Sequence, residues 1–253
     1  MSFSKLMVAP NGAYKTTADH ENLPVSVGAT VATAKACYAA GADALHAHVR
    51  DAEQRHVLDA GLYTELLQAM AEQVPDMEVQ ITTEAGGVYD ARFQRQFIAD
   101  LMPSYMSLSF AEMTRDTTMA DVVAFYRDLC ASQIKVQHIF YSSAELTTFL
   151  QHVAPLLSDW TRHHGLFVLG RYAQGQQSMP QDLVPFLAVL QANQVDMSWA
   201  VCAFGQQQLA CLLEANKLGG SMRIGFENAW QDLAGNKLSS NEDLVALMVD
   251  MLP

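Results

Sequence analysis

Along the chain, short apolar runs alternate with longer stretches in which apolar positions recur at helical spacing. A short unbroken or alternating apolar run marks a strand, and a 3.6-residue period marks an amphipathic helix. Eight runs read as strands: Leu6–Pro10, Ala44–His48, Glu78–Thr82, Tyr105–Ser109, Lys135–Phe140, Leu166–Leu169, Met197–Cys202 and Ser221–Gly225. Eight helical patterns follow them in turn, at 27–40, 60–73, 91–100, 119–131, 143–153, 181–192, 206–217 and 241–251. Gly41 and Gly219 stand where a left-handed residue ends a helix, and Asp90 and Ser143 stand at N-cap positions.

Strand and helix alternate in units of roughly 30 residues, which predicts a parallel β/α architecture. Eight units predict a single (β/α)8 TIM barrel over 1–253, with a doubly wound α/β sheet as the main competitor. The length of 253 residues suits the barrel, since ~250 is typical of that fold. No low-complexity segment, charge block or linker divides the chain, so one domain is expected.

Composition narrows the classes of partner. Half of the residues are hydrophobic and 17% are charged, enough for one large core and contrary to bulk disorder. With 15 Lys and Arg against 27 Asp and Glu, the net charge is −12. That field repels polyanions, so neither nucleic acid nor an anionic membrane surface is expected as a partner. There is no signal-peptide pattern and no long apolar span. The four cysteines, Cys37, Cys130, Cys202 and Cys211, form no C-x-x-C pair. They read as reduced, mostly buried thiols of a cytoplasmic protein.

The chemistry concentrates in two strands. In GADALHAHVRD (41–51), His46 and His48 are two apart and therefore share one strand face, at the C-terminal end where barrel active sites lie. Two converging imidazoles are costly to bury unless their nitrogens are satisfied, either by a metal or by hydrogen bonds within the core. In GGSMRIGFENAW (219–230), Arg223, Gly225 and Glu227 share a parity. Strand 8 closes against strand 1, which brings Glu227 next but one to the histidines. A His2Glu set is the donor type of an open catalytic zinc site; the competing reading of Arg223 and Glu227 is an internal salt bridge. Gly225 would leave room beside a metal.

The segments APNGAYKTTADHENLP (9–24), HAHVRD (46–51), ITTEAGG (81–87), SLS (107–109), SWAVCAFG (198–205) and GGSMRIGFEN (219–228) resemble, in order and spacing, the β-keto acid cleavage enzymes. This is the group typified by 3-keto-5-aminohexanoate cleavage enzyme. The resemblance implies a TIM barrel, a homotetramer and one Zn2+ per chain. It further implies condensation of a β-keto acid with acetyl-CoA, as co-substrate, to give a new CoA ester and acetoacetate. It assigns His46, His48 and Glu227 to the metal and makes Arg223 the active-site arginine. Thr82, Thr83, Ser107 and Ser109 fall at hydroxyl positions around the substrate.

The chain departs from the family in three acidic regions. Asn228 stands where many members carry a catalytic Asp, Tyr14 replaces a Glu of the first loop, and Gln137 and His138 replace acids of strand 5. An amide cannot take up the carbon-bound proton that the reaction must lose. Glu84, an apparent insertion, is the candidate replacement base, its competing reading being an exposed loop acid; His138 is a second candidate, against a hydrogen-bonded pocket histidine. Tyr14 in place of an acid suits a neutral or apolar substrate tail. Arg171, in the loop 170–176, is a candidate contact for a CoA phosphate, against an ordinary surface loop. His56 reads as structural or solvated, and His163 and His164 as exposed below the barrel. Two other functions stay open: a zinc lyase or hydrolase that needs no CoA, and a catalytically impaired zinc-binding or ligand-sensing barrel.

Overall fold

The computed structural model describes residues 3, 5–157, 160–171, 175 and 177–252. Its eight strands are β1 (Leu6–Val8), β2 (Ala44–Ala47), β3 (Glu78–Thr82), β4 (Tyr105–Ser109), β5 (Lys135–Phe140), β6 (His163–Leu169), β7 (Trp199–Ala203) and β8 (Ser221–Ile224). They close in sequence order into one parallel barrel, β8 pairing with β1. This is the predicted (β/α)8 architecture, and the doubly wound alternative, which has open edges, is excluded.

The helices among the described residues are α1 (Val27–Ala39), α2 (Ala60–Gln73), α3 (Ala91–Leu101), α4 (Phe110–Thr114), α5 (Met119–Ala131), α6 (Ser143–His152), α7 (Val184–Asn193), α8 (Gln208–Lys217) and α9 (Asn241–Asp250). No described helix is long and apolar enough to cross a membrane. Asp90 caps α3 by accepting from Phe93 N, while α6 is capped by Ser142 and not by Ser143. Gly41 and Gly219 take the left-handed conformation after α1 and α8. The short α4 has no counterpart among the predicted elements, because five residues are too few to show a period.

Alternation along each strand sorts the side chains into two layers. Leu45, Phe140 and Phe167 face outward and pack with Tyr63, Leu66, Tyr126 and Phe149 in the shell between sheet and helices. Ile139, Leu166, Val168, Ala200, Cys202 and Phe204 fill the interior on the β5–β7 side. The other side of the interior is polar, and the strand register arranges it. His46 pairs in register with Gln80, Thr82 with Ser107, and Ser107 with Gln137.

Two expectations change here. Strand β6 begins at His163, earlier than predicted, and both His163 and His164 are buried. His138 shares its parity with the outward layer: its ring lies 4.7 Å from that of Phe149 and stacks on His163. It faces away from the interior, so it is neither a base nor a pocket histidine.

Candidate metal centre and active site

His46 leaves β2 inward, and His48 lies just beyond its end, on the same face. Their Nε2 atoms are 3.1 Å apart. Glu227 Oε2 lies 3.7 Å from the first and 3.8 Å from the second. The possible ligand atoms of the three residues lie within 4.8 Å of one another.

Close backbone approach brings Glu227 there. Gly225 has φ +150, and a Cβ on it would fall 2.1 Å from Ala9 O. The glycine therefore lets the chain after β8 cross over β1, where Glu227 N donates to Ala9 O at 3.1 Å. Making room beside a metal is not its role. Gly12 is equally constrained, since a Cβ would meet Glu227 Cγ at 2.5 Å. Arg50 donates to the carbonyls of Gly12 and Lys15, and Lys15 Nζ donates to the carbonyls of Phe226 and Glu227 at 2.8 and 3.0 Å.

One carboxylate oxygen of Glu227 is occupied: Arg223 Nη2 donates to Oε1 at 2.7 Å. The other, Oε2, is buried without a hydrogen-bond partner among the described residues and faces the two imidazoles. Gln80 Oε1 lies 2.7 Å from His46 Nδ1, and Gln80 Nε2 donates to Gln137 Oε1 at 3.2 Å. His46 is thus the donor through Nδ1, which leaves the Nε2 lone pair facing the cluster. An orphaned carboxylate oxygen beside imidazole nitrogens is the donor set that a divalent ion satisfies, so the residues fit a metal. The salt bridge between Arg223 and Glu227 is present as well and uses the opposite oxygen.

The electrostatics agree with an unprotonated ligand set. Burial holds His46 and His48 well below the usual imidazole range, as does the Arg223 charge for His46. Burial pushes the Glu227 carboxyl upward, yet the surrounding positive groups, the Arg223 guanidinium foremost, together hold it below the usual value.

Over this cluster opens a narrow recess lined by His46, Thr82, Glu84, Ser107, Ser109, Arg171, Arg223, Glu227 and Asn228 and by apolar side chains at β5–β7. A wider outer recess, of about 430 Å3, continues past Tyr14 and Lys15, and Glu84 and Arg171 line both. Most of the predicted site residues therefore meet in one place. Thr83 does not line the recess; its hydroxyl donates to Ser107 O. Tyr14 is 57% exposed at the outer rim, against the Arg171 guanidinium. The hydroxyl of Ser107 and both amide atoms of Asn228 are buried at the recess without partners among the described residues.

Glu84 is not an exposed loop acid. Its side chain is 16% exposed, with Oε2 3.8 Å from His48 Nε2 and Oε1 3.5 Å from Arg171 Nη2. Burial, and then the Glu227 charge, push its carboxyl up to about 7. The loop is braced by α4, whose Glu112 accepts from Ala85 N and from Gln94 Nε2. Arg171 sits inside the site and not on an ordinary surface loop; residues 172–174 and 176 of that loop lie outside the described residues. His56, read as structural or solvated, is buried with Nδ1 3.4 Å from His48 Nδ1 and Nε2 2.7 Å from Glu84 O. Burial holds its imidazole below the usual value. Nothing in the local spacing of 49–60 marks it, because the contact depends on the β2–α2 loop folding back.

Comparison with known proteins adds the chemistry to this geometry. The profile of the beta-keto acid cleavage enzyme family matches residues 5–253. A 3-oxoadipate:acetyl-CoA acetyltransferase of Cupriavidus necator is 25% identical over 230 residues, 88% of this chain and 79% of that protein. A 3-keto-5-aminohexanoate cleavage enzyme of Acetoanaerobium sticklandii is 25% identical over 244 residues, 94% of this chain and 87% of that protein. Among solved structures, a binary complex of ObcA with oxaloacetate superposes with a TM-score of 0.68 at 16% identity, covering 90% of this chain. The chain spans 63% of the ObcA chain, and at that identity the likeness concerns the fold.

Proposed function

Since the chain belongs to the beta-keto acid cleavage enzyme family, we propose that it converts a β-keto acid and acetyl-CoA into acetoacetate and a new CoA ester, with one zinc ion held by His46, His48 and Glu227. The family is enzymatic, and the two curated relatives are named for cleavage of a keto acid and for an acetyl-CoA acetyltransferase. The observation that carries the zinc reading is the orphaned Glu227 Oε2 opposite two imidazole Nε2 atoms in the wall of the recess. Two histidines and one carboxylate are the ligands of an open zinc site, which leaves a coordination position for substrate. When bound there, a divalent ion supplies Lewis-acid polarisation of the substrate's keto carbonyl.

The chain's own residues supply the rest. Arg223 provides a fixed, dry positive charge beside Glu227, suited to a substrate carboxylate or to a developing oxyanion. Ser107, Thr82 and Ser109 offer hydroxyls to orient the bound acid. Asn228 has an amide to donate and cannot serve as base. The base is then Glu84, whose carboxylate shares the recess with His46 and Arg223 and is reached from the outer recess. It accepts the proton from the carbon between the keto and carboxylate groups, while Arg171 holds the carboxylate in place. Arg171, Tyr14 and Lys15 border the way in, where the CoA ester would enter.

Turnover of a β-keto acid panel with and without acetyl-CoA, on protein of known metal content, tests this reading. Acetoacetate formed only when zinc and acetyl-CoA are both present supports it; turnover at the same rate without acetyl-CoA overturns it. Glu84→Gln should retain zinc and lose roughly 10²–10⁴-fold in kcat, the usual range for a general base.

A further inference from the structure

A second chain of contacts reaches the ligand set from outside it. His56 Nε2 lies 2.7 Å from the main-chain oxygen of Glu84, and a carbonyl oxygen can only accept. His56 therefore carries its proton on Nε2, and its Nδ1 has only a lone pair to offer. That lone pair faces His48 Nδ1 at 3.4 Å, so His48 must be the donor, through Nδ1. What remains on His48 is an Nε2 lone pair, aimed at the space shared with His46 Nε2 and Glu227 Oε2.

We propose that His56 is a positioning residue, fixing His48 in its Nδ1–H tautomer so that the Nε2 lone pair points at the ion site. The inference rests on the metal reading above. It parallels what Gln80 and Gln137 do for His46, so each imidazole has its own anchor on a different element. The seat for His56 is built. Gly86 has φ +58, and a Cβ there would fall 2.7 Å from His56 Cδ2, so only a glycine leaves room for the ring. Tyr89 meets the ring edge-on, and its hydroxyl accepts from Leu58 N at 3.3 Å. The relay ends on the backbone of Glu84, the residue whose carboxylate faces His48 from the other side. Turning His56 would disturb the ligand and the proposed base together.

Zinc affinity of stripped protein, measured by competition with a chelating dye, reads this out without any assay of turnover. His56→Leu removes the acceptor and should weaken zinc roughly 10–100-fold, the cost of losing an outer partner of a metal-ligating histidine. In His56→Asn the amide Oδ1 stands close to the position of the ring Nδ1 and can accept from His48, so most of that loss should be recovered. His56→Leu binding zinc as tightly as the parent, or His56→Asn as weak as His56→Leu, overturns the inference. A parent chain that binds no zinc overturns the metal reading instead. Nitrogen NMR of the histidines in the stripped parent protein gives a reading that needs no variant. An unprotonated His48 Nε2 supports the relay, and a protonated one overturns it.

Discussion

Histidines are buried at both ends of this barrel's interior, a pair at the mouth and His164 at the floor, and the two ends treat them differently. At the floor, the hydroxyl of Tyr105 lies 2.8 Å from His164 Nε2, and Phe3 stacks on the imidazole with centroids 3.5 Å apart. Lys135 Nζ binds both carboxylate oxygens of Glu78 at 2.7 and 2.8 Å and sits over the rings of Phe3 and Tyr105. His164 Nδ1 is buried without a hydrogen-bond partner among the described residues, but no carboxylate oxygen among them faces it, and His164 lines neither recess of the site. At the mouth, the donor nitrogens of His46 and His48 are taken up by outer partners, while their acceptor nitrogens face each other and an unpaired carboxylate oxygen. Both ends bury imidazole at the same cost. Burial of a histidine is therefore uninformative by itself. The direction of its free lone pair separates a plug from a site.

The largest blow to that contrast comes from removing a proposed ligand at the mouth. Glu227→Ala should reduce bound zinc, measured by metal analysis of purified protein, by more than the roughly 100-fold that losing an outer partner costs. It should abolish turnover while the fold survives. Zinc retained at one equivalent would mean that the lone pairs at the mouth serve no metal.

A smaller loss is expected from Arg223→Lys. A compact ammonium cannot reproduce the planar guanidinium beside Glu227, so kcat should fall about 10²–10³-fold while zinc content is unchanged. Unaltered kinetics would take Arg223 out of the reaction and leave it as a partner of the carboxylate alone.

The smallest effect should come from the floor. Tyr105→Phe removes the contact with His164 and should lower the unfolding free energy by about 1 kcal/mol, read by urea denaturation. Zinc affinity and turnover should stay at the parent values. A change in zinc affinity on this substitution would show that the two ends are coupled, and the comparison between them would fail.

The strand face of His46 and His48 was legible from their spacing alone; the expected parity of Arg223 and Glu227 was not what joined them, because β8 ends at Ile224 and the turn beyond it delivers Glu227. The same rule, applied to β5, puts Lys135, Gln137 and Ile139 inward and His138 outward, so strand parity by itself argues against His138 as a base. The early start of β6 was harder to see, because His163, His164 and Gly165 lack the apolar signature of a strand. Glu84, Arg171 and His56 could not be placed. Each lies on a loop beyond a strand end, where periodicity carries no information about direction.

Local patterning along the chain determined the alternation of strand and helix, the barrel that follows from it, and the inward aim of the residues on β2 and β8. Those properties depend on a side chain's position within its own element, which the backbone period dictates. Only the closed tertiary structure decided that Glu84 and Arg171 turn into the recess, that His56 backs His48, and that Glu227 leaves one oxygen unpaired opposite two imidazoles. Such contacts join segments far apart in the chain. They depend on barrel closure, on strand register and on close passages at Gly12, Gly86 and Gly225, none of which is set by the neighbours of a residue in sequence.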